Sequence, residues 1–246
     1  ELEEPEDIST YPEHIQRRIR RTLSLDPLLR KAQQAGYRGN LAFADHCGGM
    51  LLDALEAEGL TDSTIVVYTS DHGDMAQQHG LIGKFCLFDP SVKVPLIVSH
   101  PPSLPRDAVS TALVEQLGLY PTLADLTGTG PVGAPARRPM DDAPQAIEGE
   151  SFAGCVRDPA GEGSEAVFSE FNLRTTNCEY MLRTQRYKYI HNDGSTDELY
   201  DLQEDPEENR NRIGDPGLQE TARELRERLF ARFDPADNRF RARPLR

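Results

Sequence analysis

The sequence predicts an α/β fold, in which a mostly parallel β-sheet flanked by helices is followed by a small antiparallel sheet that carries a helix. Two apolar runs rich in β-branched residues, 65–68 and 94–98, have the continuous hydrophobicity of strands buried on both faces. A helical pattern precedes the first run, and that order is one half of a βαβ unit. After about residue 165, short strand-like segments alternate with turn residues, which indicates antiparallel hairpins.

The segments before the first strand are predicted to be helical or irregular. Residues 1–35 are polar and charged, and we expect a solvated helix and loop region with an exposed arginine cluster (Arg17, Arg18, Arg20 and Arg21). Between residues 37 and 58, apolar side chains recur every three or four positions, and Gly59 provides a C-terminal stop. This second segment is therefore predicted to be an amphipathic helix.

The segments after the second strand include two helices and a linker. Residues 111–128 are predicted to form a helix, a break at Pro121 and a short helix that ends at Gly128. Residues 128–150 are rich in Pro and Gly and lack periodicity, which is typical of a linker. We therefore predict an α/β domain over residues 1–150 and a small α+β subdomain over residues 151–246.

The predicted subdomain has three strand-like segments and a terminal helix. The strand-like segments are 165–171, 179–192 and 197–203. The helix is indicated by one apolar stripe, consisting of Leu218, Ala222, Leu225, Leu229 and Phe233.

Charge and cysteine content limit the classes of partner. The formal net charge is -14, which argues against a nucleic-acid ligand because such a ligand requires a basic surface. No segment has the apolar length of a membrane span. The four cysteines form no CxxC pair and fit reduced thiols better than a zinc site. A cytoplasmic or a periplasmic location is compatible with these features, and the oligomeric state stays open.

The tripeptide Asp71-His72-Gly73 follows the first predicted strand directly. Ligands of open α/β sheets bind beyond the carboxyl ends of such strands. An aspartate and a histidine there offer an oxygen and a nitrogen ligand to one cation, and Gly73 permits a sharp turn beside the ion. The alternative is that Asp71 caps a helix and His72 is an ordinary hydrogen-bonded residue.

Lys84 lies 13 residues after Asp71, among apolar residues that include Leu81, Ile82 and Phe85. A charge in such a setting is expected to face an anion or a carboxylate, although a simple surface lysine is the alternative. In the intervening loop, His79 and Asp74 are candidates for supporting roles, and His79 is predicted to help Lys84 bind substrate.

Several stretches, taken together and in order, resemble the sulfatase family of the alkaline-phosphatase-like superfamily. The resemblance extends from about Tyr37 to the C-terminal helix, and "SDHGDM" is most similar to its choline-sulfatase-like and phosphonate-monoester-hydrolase-like branches. The stretches are "TIVVYTSDHGDM", "HGLIGK", "FDPSVKVPLIVSHP", "LYPTLADLTG", "IEGESF", "VFSEF", "RTQRYKYI" and "ELYDLQEDPEENRN".

The resemblance implies a role for each candidate residue. Asp71 and His72 would be ligands of one divalent metal ion, and Lys84 would be a catalytic residue that contacts the sulfate oxygens of a small-molecule or glycan sulfate ester. Relatives with Asn in place of this His typically use Ca²⁺, whereas an imidazole makes Mn²⁺ or another transition ion more plausible. The nucleophile would be a formylglycine.

The chain departs from the family at that nucleophile. None of the four cysteines begins a C-x-[PA]-x-R sequence, and the paired aspartates that complete the metal site are missing. The simplest interpretation is the C-terminal part of a sulfatase, which alone is expected to be inactive. A phosphonate monoester or phosphodiester hydrolase on the same scaffold, and a non-catalytic split or degenerate module, are the alternatives.

Overall fold

The structure is a computed structural model, and residues 7–130, 149–171 and 178–233 are described here. The chain forms two compact units, one made of Glu1–Thr61, Val67–Ile97 and Phe168–Arg246, the other of Asp62–Val66 and Val98–Val167. The division at residue 150 that the linker suggests stays a prediction, and most of that linker lies outside the described residues.

The described residues contain six α-helices and six β-strands, in a mixed α/β order that confirms the predicted fold class. The helices are α1 (Glu13–Leu23), α2 (Pro27–Ala57), α3 (Asp89–Val92), α4 (Leu119–Thr127), α5 (Ala153–Arg157) and α6 (Gln219–Arg232). The strands are β1 (Val66–Thr69), β2 (Leu96–Ser99), β3 (Val167–Phe171), β4 (Glu179–Arg183), β5 (Tyr187–Asn192) and β6 (Glu198–Asp201). None of these helices has the length and apolar character of a bilayer span.

Strands β1 and β2, which include most of the two apolar runs predicted to be strands, are hydrogen-bonded neighbours in a two-stranded sheet. The expected burial of both faces is wrong, because Tyr68 is 45% exposed and Ile97 is 59% exposed. Within the described part of the chain this sheet has only two strands, so much of its apolar surface is uncovered.

The C-terminal sheet has the strand order β3-β4-β5-β6, in which β5 is antiparallel to both β4 and β6. Met181 of β4 pairs with Ile190, and Tyr189 of β5 pairs with Leu199, which confirms the predicted hairpins. Helix α6 packs against β4 and β5 and buries three residues of the predicted stripe, Ala222, Leu225 and Leu229. Leu218 and Phe233, the other two, flank the helix and are partly exposed.

Helix α1 contributes to the core, so the prediction of a solvated segment over residues 1–35 is wrong for this helix. Tyr11, Ile15 and Ile19 are nearly fully buried and belong to one hydrophobic cluster. The cluster also contains Met75, Leu81, Cys86, Leu87, Phe88, Met181, Ile190, Tyr200 and Leu202. Ile15 and Ile19 are four positions apart on one face of α1, Tyr11 lies just before the helix, and the arginines occupy other positions.

Helix α2 begins at Pro27, ten residues before the predicted start, because Asp26 caps it by accepting from the Leu28 backbone N–H at 2.7 Å. None of its residues is buried. Phe43 is 69% exposed and Leu51 is 70% exposed. The hydrophobic stripe that the sequence displays therefore has no cover among the described residues.

The second unit contains α4 and α5, which pack together. The predicted helix before Pro121 is absent over residues 111–115, and Pro121 lies inside the first turn of α4 instead of breaking a helix. Proline is tolerated there because the first-turn N–H groups have no partner within the helix. The Phe152 N–H donates to Thr122 Oγ1 at 2.9 Å, which joins α4 to the segment before α5.

A buried ion cluster joins the start of α3 to the C-terminal sheet. Lys188 of β5 is fully buried, and its ammonium group contacts the carboxylates of Asp89 and Glu208 and donates to the Leu87 carbonyl at 3.2 Å. Glu208 Oε2 in turn accepts from the Asp89 N–H at 2.6 Å. Burial alone would raise the pKa of Asp89, but Lys188 and Arg183 hold it below its ordinary value.

Replacing Lys188 with methionine tests the contribution of this cluster to stability. Lys188→Met removes the cation and leaves the two carboxylates buried without their shared partner, so we expect the free energy of unfolding to fall by about 3–5 kcal/mol. Urea denaturation measures the change, and Lys31→Met, at an exposed position on α2, is the control. A loss no larger than that of the control would contradict this role.

A second buried carboxylate predicts a pH dependence of stability. Burial raises the pKa of Glu198 from 4.5 to about 7, although Tyr200 Oη and Asn192 Nδ2 donate to it at 2.5 and 2.9 Å. Glu179, which is bonded to His14 at 3.0 Å, adds to this increase through its negative charge, and His14 opposes it. Between about pH 4.5 and 7 the folded state therefore binds more protons than the unfolded state, and stability falls as the pH rises.

Glu198→Gln is expected to remove this dependence. Relative to the wild type, the variant should gain up to about 3 kcal/mol between pH 5 and pH 8, since each pKa unit corresponds to about 1.4 kcal/mol. Denaturant titrations of both proteins at several pH values give the comparison. Parallel stability curves for the two proteins would show that Glu198 does not titrate in this range.

Candidate active site

Asp71 and His72 follow β1 in a turn that is held by hydrogen bonds between neighbouring residues. Asp71 Oδ1 accepts from the His72 N–H at 3.0 Å, and Ser70 Oγ donates to the His72 carbonyl at 2.8 Å. The Asp71 side chain is 82% exposed and the His72 side chain 37% exposed. Both side chains are therefore accessible at the carboxyl end of the strand, where the sequence predicted a ligand site.

The hydrogen bonds of His72 assign its tautomer. Its Nδ1 lies 2.7 Å from the Gly73 carbonyl oxygen, which only accepts, so Nδ1 carries the proton. In the neutral imidazole, Nε2 then has a free lone pair, and it faces Asp71 Oδ2 at 3.3 Å and the Lys84 ammonium group. The Lys84 ammonium group supplies a positive charge beside these two acceptor atoms.

The Gly73 backbone approaches α3 so closely that a side chain would not fit. Its N–H donates to the Ser91 carbonyl at 2.8 Å, and a Cβ atom on Gly73 would lie 2.0 Å from the Pro90 carbonyl oxygen. The glycine is thus required for contact between two backbones, not for an unusual φ angle.

The loop between Gly73 and Lys84 is folded back on itself and anchored in the core. The Met75 N–H donates to the Gly83 carbonyl at 2.9 Å, and the Gln77 N–H donates to the Leu81 carbonyl at 2.8 Å. The Met75 and Leu81 side chains are fully buried. The loop therefore has a fixed path, and it returns Lys84 to the turn that contains His72.

Lys84 is exposed, and its Nζ contacts His72 Nε2. Asp71, His72 and Lys84, the three candidates named from the sequence, thus lie close together. Slight desolvation would raise the pKa of Asp71, but His72, backbone N–H groups and Lys84 together hold it below its ordinary value. Asp71 consequently stays an anionic oxygen donor at neutral pH.

His79 lies elsewhere, inside the hydrophobic cluster. It is 5% exposed, its Nδ1 is 3.2 Å from Tyr11 Oη, and its ring stacks on Phe88 with centroids 4.7 Å apart. Burial lowers the pKa of His79 to about 4, so the ring is neutral at pH 7. These contacts indicate a structural role, and the predicted substrate contact of His79 gains no support from them. Asp74, the other loop candidate, accepts from the Ala76 N–H at 2.7 Å and so caps the loop.

Asp71 and His72 fit part of a metal site. A carboxylate and an imidazole nitrogen with a free lone pair are suitable ligands, and the bond from His72 Nδ1 to Gly73 fixes the ring orientation as such partners do around metals. Among the described residues, however, no group of three or more His, Cys, Asp or Glu side chains is arranged to hold an ion. All four cysteines are free thiols.

Comparison with protein families assigns the chain. The family model described as "Sulfatase" matches residues 5–129, and the model described as "N-sulphoglucosamine sulphohydrolase, C-terminal" matches residues 77–234. The chain belongs to the sulfatase family. The second match covers the C-terminal sheet and α6, which fits the resemblance to the C-terminal portion of these proteins.

The similar curated proteins are sulfatases of greater length. The chain is 31% identical over 180 residues to arylsulfatase K of Bos taurus, a match that covers 71% of this chain and 32% of that protein. It is 30% identical over 189 residues to choline-sulfatase of Rhizobium meliloti, covering 76% of this chain and 34% of that protein. The chain thus spans about a third of the length of these relatives.

Solved structures agree with this assignment. A 2-O GAG sulfatase superimposes with a TM-score of 0.80 and 27% identity, covering 100% of this chain and 54% of that one. A phosphonate monoester hydrolase of Agrobacterium radiobacter superimposes with a TM-score of 0.63 and 25% identity, covering 74% of this chain and 37% of that one.

The sequence patterns single out Asp71, His72 and Lys84 as candidates, but not the residues that hold them. Ser91 and Asp89 lie within the quoted stretch "FDPSVKVPLIVSHP", Lys188 lies within "RTQRYKYI" and Glu208 within "ELYDLQEDPEENRN", yet they received no role. The available signal was a lysine between two tyrosines in β5.

Substitution of Gly73 tests the close contact with α3. Gly73→Ala is expected to lower the free energy of unfolding by about 1–3 kcal/mol, because the methyl group forces the turn away from Pro90. Gly49→Ala on α2, where a Cβ meets nothing within 4 Å, is the matched control and should leave stability equal or slightly higher. The midpoints of thermal unfolding of both variants are compared, and equal midpoints would contradict the close contact between Gly73 and Pro90.

Proposed function

We propose that this chain is the C-terminal part of a sulfatase that hydrolyses a sulfate monoester, and that a segment outside this sequence supplies the nucleophile. The observation that supports this most directly is the meeting of Asp71, His72 Nε2 and Lys84 Nζ at the carboxyl end of β1. An anionic oxygen, a nitrogen lone pair and an ammonium group together suit a cation and a tetrahedral anion in the same place.

Lys84 is the catalytic residue of this chain in the proposed reaction. Hydrolysis of a sulfate ester moves a sulfuryl group with negative charge on its peripheral oxygens, and a preorganised cation stabilises that charge as it develops. The backbone of Lys84 is held by the folded loop, so the ammonium group needs little reorganisation to face the substrate.

Asp71 and His72 would hold a divalent metal ion, as sulfatases typically do. When bound, the metal would act as a Lewis acid toward an oxygen of the substrate or nucleophile. The imidazole nitrogen favours Mn²⁺ or another transition ion over Ca²⁺. The remaining ligands would come from the segment that carries the nucleophile, because the described residues provide only these two.

The uncovered surfaces of the chain support a missing partner segment. Helix α2 has no buried residue, and β2 exposes Ile97. A stable domain covers apolar surfaces of this kind. Together with the 54% coverage of the solved 2-O GAG sulfatase, this supports a sheet and helix that pack against further elements in the complete protein.

The proposed substrate class is a sulfate ester of a small molecule or a glycan. The relatives include a choline-sulfatase and an N-acetylglucosamine-6-O-sulfatase, whose names cover both kinds of alcohol. A phosphonate monoester is the second candidate, because the structure of a phosphonate monoester hydrolase superimposes on most of the chain. The same metal and lysine would suit a tetrahedral phosphoryl centre.

Turnover by the complete protein tests both candidates. With aryl sulfate and aryl phosphonate esters assayed in parallel, we expect sulfate ester hydrolysis to exceed phosphonate ester hydrolysis. Lys84→Ala should lower turnover by about 10²–10³, the loss typical of one preorganised partner of the transition-state charge. Asp71→Ala should lower turnover and also bound metal, measured by elemental analysis, because it removes a ligand.

Lys31→Ala, at an exposed position on α2, is the matched control and should keep wild-type turnover. Near-normal turnover of Lys84→Ala would make Lys84 an ordinary surface residue. Absence of turnover on both esters would favour a non-catalytic module, and faster phosphonate hydrolysis would favour the second candidate.

A further inference from the structure

We propose that Ser91 is a positioning residue that sets the place of Lys84 relative to the metal-ligand turn, an inference that rests on the proposed function of Lys84 and His72. Ser91 is 2% exposed and lies in α3. Its Oγ donates to the Lys84 carbonyl at 2.7 Å, and its own carbonyl accepts from the Gly73 N–H at 2.8 Å. One buried residue thus bonds to both segments that form the candidate site.

The backbone around Lys84 is held from other directions as well. Arg18 of α1 donates to the Phe85 carbonyl and, at 3.3 Å, to the Ile82 carbonyl. The Gly83 carbonyl accepts from the Met75 N–H at 2.9 Å. The four carbonyl groups from residue 82 to residue 85 therefore all have partners, while the Lys84 side chain itself is exposed. Among these partners, Ser91 is the one that also accepts a hydrogen bond from the Gly73 N–H.

Ser91 can act as a fixed reference because α3 is itself anchored. Asp89, the first residue of α3, is bonded through its N–H to Glu208 at 2.6 Å and through its carboxylate to the buried Lys188. The Ser91 N–H donates to the Phe88 carbonyl at 2.9 Å. A displacement of Ser91 would therefore disturb the buried ion cluster, which opposes such movement.

The two bonds of Ser91 are chemically separable. Removal of the hydroxyl group takes one of two donors from the Lys84 carbonyl, which keeps the Cys86 N–H at 3.0 Å, and it leaves the backbone bond from Gly73 to the Ser91 carbonyl intact. The Ser91→Ala variant should therefore loosen Lys84 while the turn of Asp71 and His72 stays in place. A purely structural role would instead loosen both segments or neither.

Amide relaxation by NMR on the 246-residue chain tests this asymmetry. In the wild type, the Lys84 amide should have an order parameter typical of rigid backbone, about 0.85, and in Ser91→Ala it should fall below about 0.6. The His72 and Gly73 amides should keep their wild-type values. Ser91→Cys, which retains the side-chain size and a weak donor, should be intermediate.

Thr122→Ala is the matched control, because it also removes a buried hydroxyl group that makes one hydrogen bond, and it lies in the other compact unit. It should leave the Lys84 amide unchanged. Equal order parameters for Lys84 in the wild type and in Ser91→Ala would overturn the proposal, as would equal loosening of Lys84 and His72.

A second measurement links the position of Lys84 to anion binding. With diamagnetic Zn²⁺ present in place of Mn²⁺, sulfate is titrated against the wild type and Ser91→Ala, and the shift of the Lys84 signals is followed. We expect sulfate to bind about tenfold more weakly to the variant, equivalent to about 1.4 kcal/mol, with Zn²⁺ affinity unchanged. Equal sulfate affinities would contradict the proposal. If sulfate shifts no signal of Lys84 in the wild type, the proposed function fails, and the relaxation data alone decide the role of Ser91.

Discussion

The ammonium group of Lys188 is the contact on which the candidate site depends. It lies between Asp89, five residues after Lys84, and Glu208, which follows the C-terminal sheet. Desolvation of a buried cation is costly unless the cation is paired with anions. The carboxylates of Asp89 and Glu208 are therefore most favourable in contact with the Lys188 ammonium group. The strand that contains Lys188 therefore determines where α3 begins, and α3 determines where the site loop ends.

This dependence explains how an exposed site can be well ordered. Asp71 and Lys84 project into solvent, yet the segments that carry them are bonded to Ser91 and to the buried Met75–Leu81 part of the loop. The rigidity comes from the hydrophobic cluster and the ion cluster beneath the site. Catalytic groups on loops commonly obtain their precision from such a supporting scaffold.

Local sequence patterns predicted the strands and the terminal helix, because each is encoded within a few neighbouring positions, and the resemblance to the sulfatase family supplied the three candidate site residues. The contribution of α1 was not recognised because Ile15 and Ile19 lie in a segment whose composition is dominated by charged residues. The roles of Ser91 and Lys188 depend on partners distant in sequence, which no local pattern specifies. Burial of β1 and β2 was predicted from their apolar residues, but burial requires covering elements that the described part of the chain does not provide.

The core that contains Tyr11 joins the two ends of the chain. Tyr11 Oη contacts the Asn209 carbonyl at 3.4 Å across a separation of 198 residues, and His14 Nε2 is bonded to Glu179 at 3.0 Å. Contacts between residues so far apart in sequence form late in folding, because a long loop must close first. During translation, the cluster beneath Lys84 therefore stays incomplete until the C-terminal sheet has left the ribosome. A ribosome that stalls before residue 179 would release a chain whose site loop has no sheet to pack on, and such a chain would be a substrate for quality-control proteases.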